Sequence, residues 1–235
     1  MADWDAFSGQ YDDIFNADQV YSGMLRLLGE SIADAGGARV LDLGCGTGNA
    51  TAAVLEALPG SSILAVDPSG GMRRICSERF SDEARVEVVE GTATGIPSAD
   101  GEFDLVVSNL ALHHVPIEEK EAAAAEIARV TATGGTLLYL DVFCDVEGGP
   151  GDPEWYRDNI DKAVAWALCS CESGAFRHMI VLLKTMVSVL ERDGEYLVTP
   201  RHWLSLLSDA GFAQVHTITV EPARCGLKML RAVRS

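Results

Sequence analysis

Glycines stand at 44, 46 and 48 in Val40-Leu41-Asp42-Leu43-Gly44-Cys45-Gly46-Thr47-Gly48, after an apolar run and before a helical pattern. A strand that turns through such a loop into a helix lets a ligand press on main-chain atoms that any Cβ would block. The spacing is GxGxG, without the later third glycine that seats a pyrophosphate at a helix N-terminus, so the loop suits a nucleoside lacking phosphates. Asp67 ends the next apolar run, Leu64-Ala65-Val66-Asp67, where its carboxylate can accept hydrogen bonds from both ribose hydroxyls. The same acid would serve a dinucleotide; its combination with Asp42 and the GxGxG loop is what discriminates. His113 and His114 follow the fourth apolar run, at the sheet edge where ligands bind. An imidazole with a pKa near ~6.5 suits a base at neutral pH, although a histidine there can also pack or cap a helix.

These residues need a sheet to position them. Short apolar runs at 39–43, 62–66, 86–90, 103–108 and 136–142 alternate with helical spacing at 49–58, 70–80 and 117–131. That alternation is the signature of a parallel sheet covered by helices on both faces. Thr133-Gly134-Gly135 reads as a helix stop before the fifth strand. Residues 18–35 form an amphipathic pattern ahead of the first strand, closed by Gly36-Gly37. From 145 to 199 no strand is apparent: a VEGGPGDP loop leads to helical stretches at 154–171 and 175–192, an inserted cap. A helix over 200–210 and strands at 212–220 and 226–233 close the chain. The predicted architecture is α/β and doubly wound, one domain over 1–235. It divides into an N-terminal helical arm (1–37), a ligand-binding core (38–144), a helical cap (145–199) and a closing helix with a strand pair (200–235).

With 235 residues, 48% of them hydrophobic, the chain can bury a core without a disulfide or metal staple. Its 18 Lys+Arg against 35 Asp+Glu give a net charge of −17, which opposes approach to a phosphate backbone and makes nucleic acid an unfavoured partner. A local basic face among Arg73, Arg74, Arg79 and Arg85 is the exception to weigh. The six cysteines form no CxxC pair, which fits reduced cytosolic thiols. The acidic start lacks a signal-peptide pattern and no run reaches the ~18 apolar residues of a membrane span, so the expectation is a soluble, cytoplasmic protein. Cys45 reads as a small residue where the chain passes a ligand, since nothing basic in its sequence neighbourhood would lower its pKa.

Together these signals resemble the class I S-adenosylmethionine-dependent methyltransferases, in particular their small-molecule branch, over residues 38–142 and the terminal strand pair. VLDLGCGTG is similar to the family's first motif, AVDPSGGM to its second and FDLVVSNLALHHV to its fourth-strand motif. RVTATGGTLLYLD is similar to the helix, glycine turn and fifth strand that follow. The resemblance implies a seven-stranded sheet with an antiparallel last strand and S-adenosylmethionine as cofactor. It places Asp42, Gly44, Cys45 and Gly46 around the cofactor, Asp67 on the ribose, Pro68 and Met72 near the adenine, and Asn109, Leu110 and His114 beside them. Many members put an acid after the third strand to hold the adenine amino group; here Thr92, through its hydroxyl, or the Ala93 backbone stands in its place. Tyr11 resembles an N-terminal tyrosine that closes over the cofactor and reaches the methionine carboxylate; the other reading is a surface aromatic. The resemblance also implies His113 as base with Asp141 as its orienter.

Methyl transfer from a sulfonium is an in-line displacement that needs nucleophile, carbon and sulfur aligned at about 3 to 3.5 Å, in a dry pocket the cap can supply. Trp155, Tyr156, Trp166, Phe176, His178 and Met179 are candidates to line an aromatic acceptor's site, or ordinary core. Arg157, Arg177 and Lys184 could bind an acidic acceptor or simply face water. Asp145, Glu147 and Asp152 sit in a glycine-rich setting and are assigned no metal. The predicted function is methyl transfer to oxygen, nitrogen or carbon of a small-molecule acceptor. The rivals are a tRNA-modifying or carboxymethyl-forming relative, a core repurposed for cyclisation, and a non-catalytic nucleoside-binding protein. No membrane partner is expected, and the cap helices are candidates for pairing two subunits in a homodimer.

Overall fold

Each central strand carries apolar side chains on both faces, so it is stable only between two helical layers. The computed structural model describes residues 4–235 and shows those layers. In chain order the elements are α1 (Trp4–Phe15), α2 (Gln19–Ala35), β1 (Arg39–Leu43), α3 (Asn49–Ala57), β2 (Ser62–Asp67), α4 (Gly70–Arg79), β3 (Val86–Glu90), β4 (Phe103–Asn109) and α5 (Lys120–Val130). Then follow β5 (Thr131–Val142), α6 (Pro153–Glu172), α7 (Phe176–Glu191), α8 (Pro200–Asp209), β6 (Phe212–Thr219) and β7 (Leu227–Arg234). The sheet order is β3-β2-β1-β4-β5-β7-β6, with β7 antiparallel to both its neighbours and the rest parallel. The order reverses between β1 and β4, the switch point where an open α/β sheet leaves a crevice at its strand carboxyl ends.

Alternation along the strands decides the two faces. Val40, Leu105, Val107, Leu138 and Leu140 pack with Met24, Leu28 and Ile32 of α2 and with Val54 of α3. Leu41, Val106, Leu137 and Tyr139 pack with Ile127 of α5 and Trp203 of α8 on the other side. Trp203 is 1% exposed, so truncating it to alanine would cost about 3 to 5 kcal/mol.

Local chemistry sets the helix starts. Asp18 caps α2 by accepting from the Tyr21 N–H, Ser69 caps α4, and Thr199 caps α8 ahead of Pro200. Asp152 caps α6 ahead of Pro153. The expected strand and helix positions agree with the observed ones to within one or two residues, with two exceptions, at β5 and α5. β5 begins at Thr131, not 136: Thr131 pairs with Phe103 and Thr136 with Leu105, so the Thr133-Gly134-Gly135 segment is a bulge inside the strand. Gly134 sits at φ +79°, and a Cβ on Gly135 would come 2.8 Å from the Ala132 carbonyl oxygen. The glycine pair therefore bends the ladder without ending it. The expected helix over 117–131 divides into a 3-10 turn at Ile117–Glu119 and α5.

Candidate cofactor and acceptor site

The loop after β1 is built from backbone. The N–H groups of Gly44 and Cys45 both donate to the Val66 carbonyl, at 2.8 and 3.0 Å, tying the turn to β2. Gly44, Gly46 and Gly48 all hold positive φ (+77°, +54° and +89°), a region other residues seldom adopt. A Cβ on Gly44 would lie 2.2 Å from the Ala111 Cβ, whereas one on Gly46 would meet nothing within 4 Å. Gly44 is thus a packing requirement, and Gly46 faces open space.

Asp67, at the end of β2, accepts from the Gly46 N–H at 2.9 Å through Oδ2 and from the Ser69 N–H at 2.8 Å through Oδ1. Each oxygen keeps a second lone pair, so the carboxylate shapes the loop and can still take ribose hydroxyls. Burial raises its pKa, with the Ser69 and Gly46 amides opposing. Asp42 is different: fully buried, it accepts from Thr51 Oγ1 at 2.5 Å, lies outside the cavity lining, and has its pKa pushed up to about 7 by burial. It braces the loop from beneath and does not reach the ligand space.

A cavity of about 780 Å³ runs along the strand ends from this loop to the cap. Tyr11, Gly44, Cys45, Gly46, Asp67, Pro68 and Met72 border it around the glycine loop, with Thr92 and Ala93. Asn109 at the end of β4 and Leu110, His113 and His114 after it border the cavity, and Leu110 holds φ +51° to turn the chain. Asp141 does not line it. Tyr11 is no surface aromatic: it lies on one face of α1 with Phe7 and Phe15, and stacks on Phe15 at 4.2 Å between centroids. α1 is pinned over the loop, because Asp12 Oδ1 accepts from Thr47 Oγ1 (2.7 Å) and Asn49 Nδ2 (3.0 Å). At its start Asp5 accepts from Ser69 Oγ (2.6 Å) and the Gly71 N–H (2.8 Å).

At the far end His113 is held by two carboxylates. Its Nδ1 is 2.5 Å from Asp141 Oδ1 and its backbone N–H donates to Asp141 Oδ2 at 3.0 Å. Its Nε2 is 3.2 Å from Glu195 Oε2. Burial disfavours the cation, but Asp141 and Glu195 outweigh it and raise the His113 pKa to about 10. The imidazolium in turn lowers both carboxyls against their own burial. His114 is driven the other way, to about 4, by burial and by the neighbouring His113 charge. The cap segment that brings Glu195 is itself docked here: Tyr196 N–H donates to the His113 carbonyl at 2.8 Å, and His114 Nδ1 is 2.8 Å from the Gly194 carbonyl.

Of the cap aromatics expected near an acceptor, Trp166 lines the cavity. Trp155 is core, Phe176 is 57% exposed, and His178 is buried against Asp18. Arg157, Arg177 and Lys184 are exposed, and Arg73, Arg74 and Arg85 each pair with a nearby glutamate. Sequence reasoning missed Glu195, Asn159, Phe7 and Phe15. The 7/11/15 spacing, one aromatic per helical turn, was the available sign for the last two; a lone acid ahead of Tyr196-Leu197-Val198 gives none.

Comparisons with known proteins agree with this geometry. A methyltransferase-domain family model matches residues 40–135. An uncharacterized methyltransferase of Bacillus velezensis is 30% identical over 167 residues, covering 69% of this chain and 72% of the relative. One from Geobacillus kaustophilus is 27% identical over 190 residues, covering 81% and 80%. Human N-acetylserotonin methyltransferase, solved in complex with S-adenosylmethionine, shares the fold with a TM-score of 0.59 at 19% identity; the match covers 90% of this chain and 56% of that one. The chain belongs to the class I S-adenosylmethionine-dependent methyltransferases. It is an enzyme of that kind, with S-adenosylmethionine as its cofactor.

The residues present fit that cofactor. Gly46 opens onto space a Cβ would fill, Asp67 retains acceptor capacity, and Asn109 Oδ1 is a buried acceptor with no partner on a residue of the cavity wall.

Proposed function

We propose that this enzyme methylates a hydroxyl or amine of a small, largely apolar molecule in the cytoplasm. S-adenosylmethionine, when bound, supplies the electrophilic methyl group. Asp67 and Gly46 would hold its ribose side, Pro68 and Met72 would flank the base with Thr92 and Ala93 at its edge, and Asn109 with Tyr11 would border the amino-acid end.

The observation that carries the reading is the character of the other end of the same cavity. Trp166, Val181, Leu182, Met186 and Val189 supply apolar walls; of the polar groups beside them, the Lys162 ammonium is taken up by Asp145 and Asp158 and the Thr185 hydroxyl can donate or accept, while the Glu195 carboxylate and Asn159 Oδ1, which is buried with no partner, are acceptors. Such a site selects a molecule that donates, which favours oxygen or nitrogen over carbon as the methylated atom. His113 carries its proton already, so Glu195 takes the acceptor's hydrogen bond and, as transfer proceeds, its proton. Asp141 and His113 hold that carboxylate in place and keep its charge balanced. His114, kept neutral, adds no competing charge.

The test is label transfer from methyl-labelled S-adenosylmethionine to a panel of small phenols, amino alcohols and aryl amines, with bulk tRNA as the contrasting substrate. Label in hydroxyl- or amine-bearing small molecules supports the reading; label in tRNA, or on carbon only, overturns it.

A further inference from the structure

Lys120, the first residue of α5, carries its ammonium into the protein and is 0% exposed. Nζ donates to the Leu112 carbonyl at 3.0 Å and lies 5.3 Å from the centre of the Trp203 ring on α8. A buried charge is costly, and a methionine could cover the same ring without that cost, so packing gives no reason for an ammonium here.

The acceptor gives one. The Leu112 carbonyl belongs to the peptide group that also carries the His113 N–H, and that N–H donates to Asp141 Oδ2 at 3.0 Å. Asp141 Oδ1 is 2.5 Å from His113 Nδ1, and His113 Nε2 is 3.2 Å from Glu195 Oε2. One chain of hydrogen bonds thus runs from the Lys120 ammonium, through a single peptide group, to the carboxylate that orients the imidazole. Each bond in such a chain polarises the next. The charges alternate along it as ammonium, carboxylate, imidazolium and carboxylate, and they sum to zero.

We propose that Lys120 is a positioning residue of the reactive cluster: it pins the Leu112–His114 turn and, through the Leu112–His113 peptide, holds Asp141 ionised against His113, leaving Glu195 to the acceptor. This rests on the reading of Glu195 as the group that takes the acceptor's proton. Burial lowers the Lys120 pKa to about 8, against the attraction of Asp141; Arg192 beyond α7 adds to the lowering and the Cys144 sulfur opposes it. His202 on α8 is the other cation that Lys120 acts on, and Glu118, Glu119 and Glu121 beside it in the sequence are exposed. Above that pH the ammonium is lost while His113, at about 10, keeps its proton.

Nitrogen-15 shifts of the His113 ring, followed from pH 6 to 9.5 on the full chain with S-adenosylhomocysteine bound, read the chain directly. In the wild type Nδ1 should shift with a midpoint near pH 8 although the ring stays doubly protonated. Lys120→Met removes the charge and the hydrogen bond; Lys120→Gln keeps a donor for Leu112 and removes the charge alone. Both should abolish the step, which a purely structural role would leave in place. For an acceptor from the small-molecule panel both should lower kcat about 10-fold, with KM for S-adenosylmethionine within about twofold, and both should lose the wild type's fall in kcat through pH 8. Calorimetry with S-adenosylhomocysteine checks that each variant is folded. A wild-type ring with no step near pH 8, a step that survives in either variant, or an unchanged kcat in both overturns the proposal. Label in tRNA or on carbon overturns the acceptor reading instead, and the ring titration then decides this one alone.

Discussion

Glu195 Oε2 lies 3.2 Å from His113 Nε2, so a carboxylate from the cap meets an imidazole from the sheet edge whose other nitrogen is already on Asp141. The His113 pKa of about 10 makes it a cation across the neutral range.

That charge has a pH signature. The folded pKa lies above the unfolded value of ~6.5, so the stabilisation is complete below about pH 6.5, shrinks as pH rises and is gone above about 10. Urea unfolding at pH 6, 8 and 10 should show this alkaline loss in the wild type and a flatter profile in His113→Gln. Nitrogen-15 imidazole shifts should report His113 doubly protonated at pH 8. A neutral ring at that pH would contradict the two-carboxylate clamp.

Removing members of the cluster should separate chemistry from cofactor binding. Glu195→Gln and Asp141→Asn are expected to lower methyl transfer at least about 100-fold while leaving S-adenosylhomocysteine affinity within about twofold. Calorimetry beside single-turnover assays decides; loss of affinity in step with rate would make the cluster structural.

The glycines of the loop should fail in different ways. Gly44→Ala forces a Cβ to within 2.2 Å of Ala111 at φ +77° and should cost about 3 kcal/mol or more of stability. Gly46→Ala meets no protein atom and should cost about 1 kcal/mol, yet fill ligand space and cut cofactor affinity more than 10-fold. Asp67→Ala should weaken binding roughly 10- to 100-fold by removing charge-assisted acceptors. Thermal melts with and without S-adenosylhomocysteine separate these outcomes.

Asp42 titrates in the opposite sense from a salt-bridged acid. Its folded pKa of about 7 exceeds the ordinary 3.8, so the native state holds an extra proton between those values and loses stability as pH rises through them. Asp42→Asn, which keeps the Thr51 acceptor, should therefore be more stable than wild type at pH 8 and gain less at pH 5. Equal behaviour at both would show that the carboxyl is ionised throughout.

Asp18 ties α2 to the cap. It accepts from the Tyr21 N–H, Trp166 Nε1 at 3.1 Å and Ser170 Oγ at 2.5 Å, with His178 Nδ1 at 3.1 Å. Burial opposes its charge, but the hydrogen bonds from His178, Ser170, Tyr21 and Trp166 prevail and lower its pKa to about 2. Its contribution is present above about pH 4 and lost as pH falls toward 2. Asp18→Ala should cost about 3 kcal/mol or more, because it strips a helix cap and orphans buried donors. Denaturant titration at pH 7 checks the size, and the wild-type acid limb checks the sign.

The core strands were legible because buried parallel strands must be apolar and short, and the glycine loop because only glycine meets its backbone demands. The β5 bulge was not: Thr133-Gly134-Gly135 has the residues of a helix stop, and only the pairing of Thr131 with Phe103 reveals a continuing ladder. Asp67 announced itself by ending a strand. Glu195 could not, since its role comes from a distant loop folding back on His113, a contact 82 positions apart that carries no local periodicity. Asp42 looked like a ligand contact from its place beside the glycines, yet strand alternation turns it toward Thr51.

Helix α1 crosses the cavity beside the glycine loop and is fastened by Asp5 to Ser69 and Gly71 and by Asp12 to Thr47 and Asn49. We expect a spent donor to leave past α1, which would require those fastenings to part. Throughput should then follow departure rather than bond making: steady-state velocity should fall with added glycerol viscosity, and loosening Asp12 should hasten turnover even as it loosens grip.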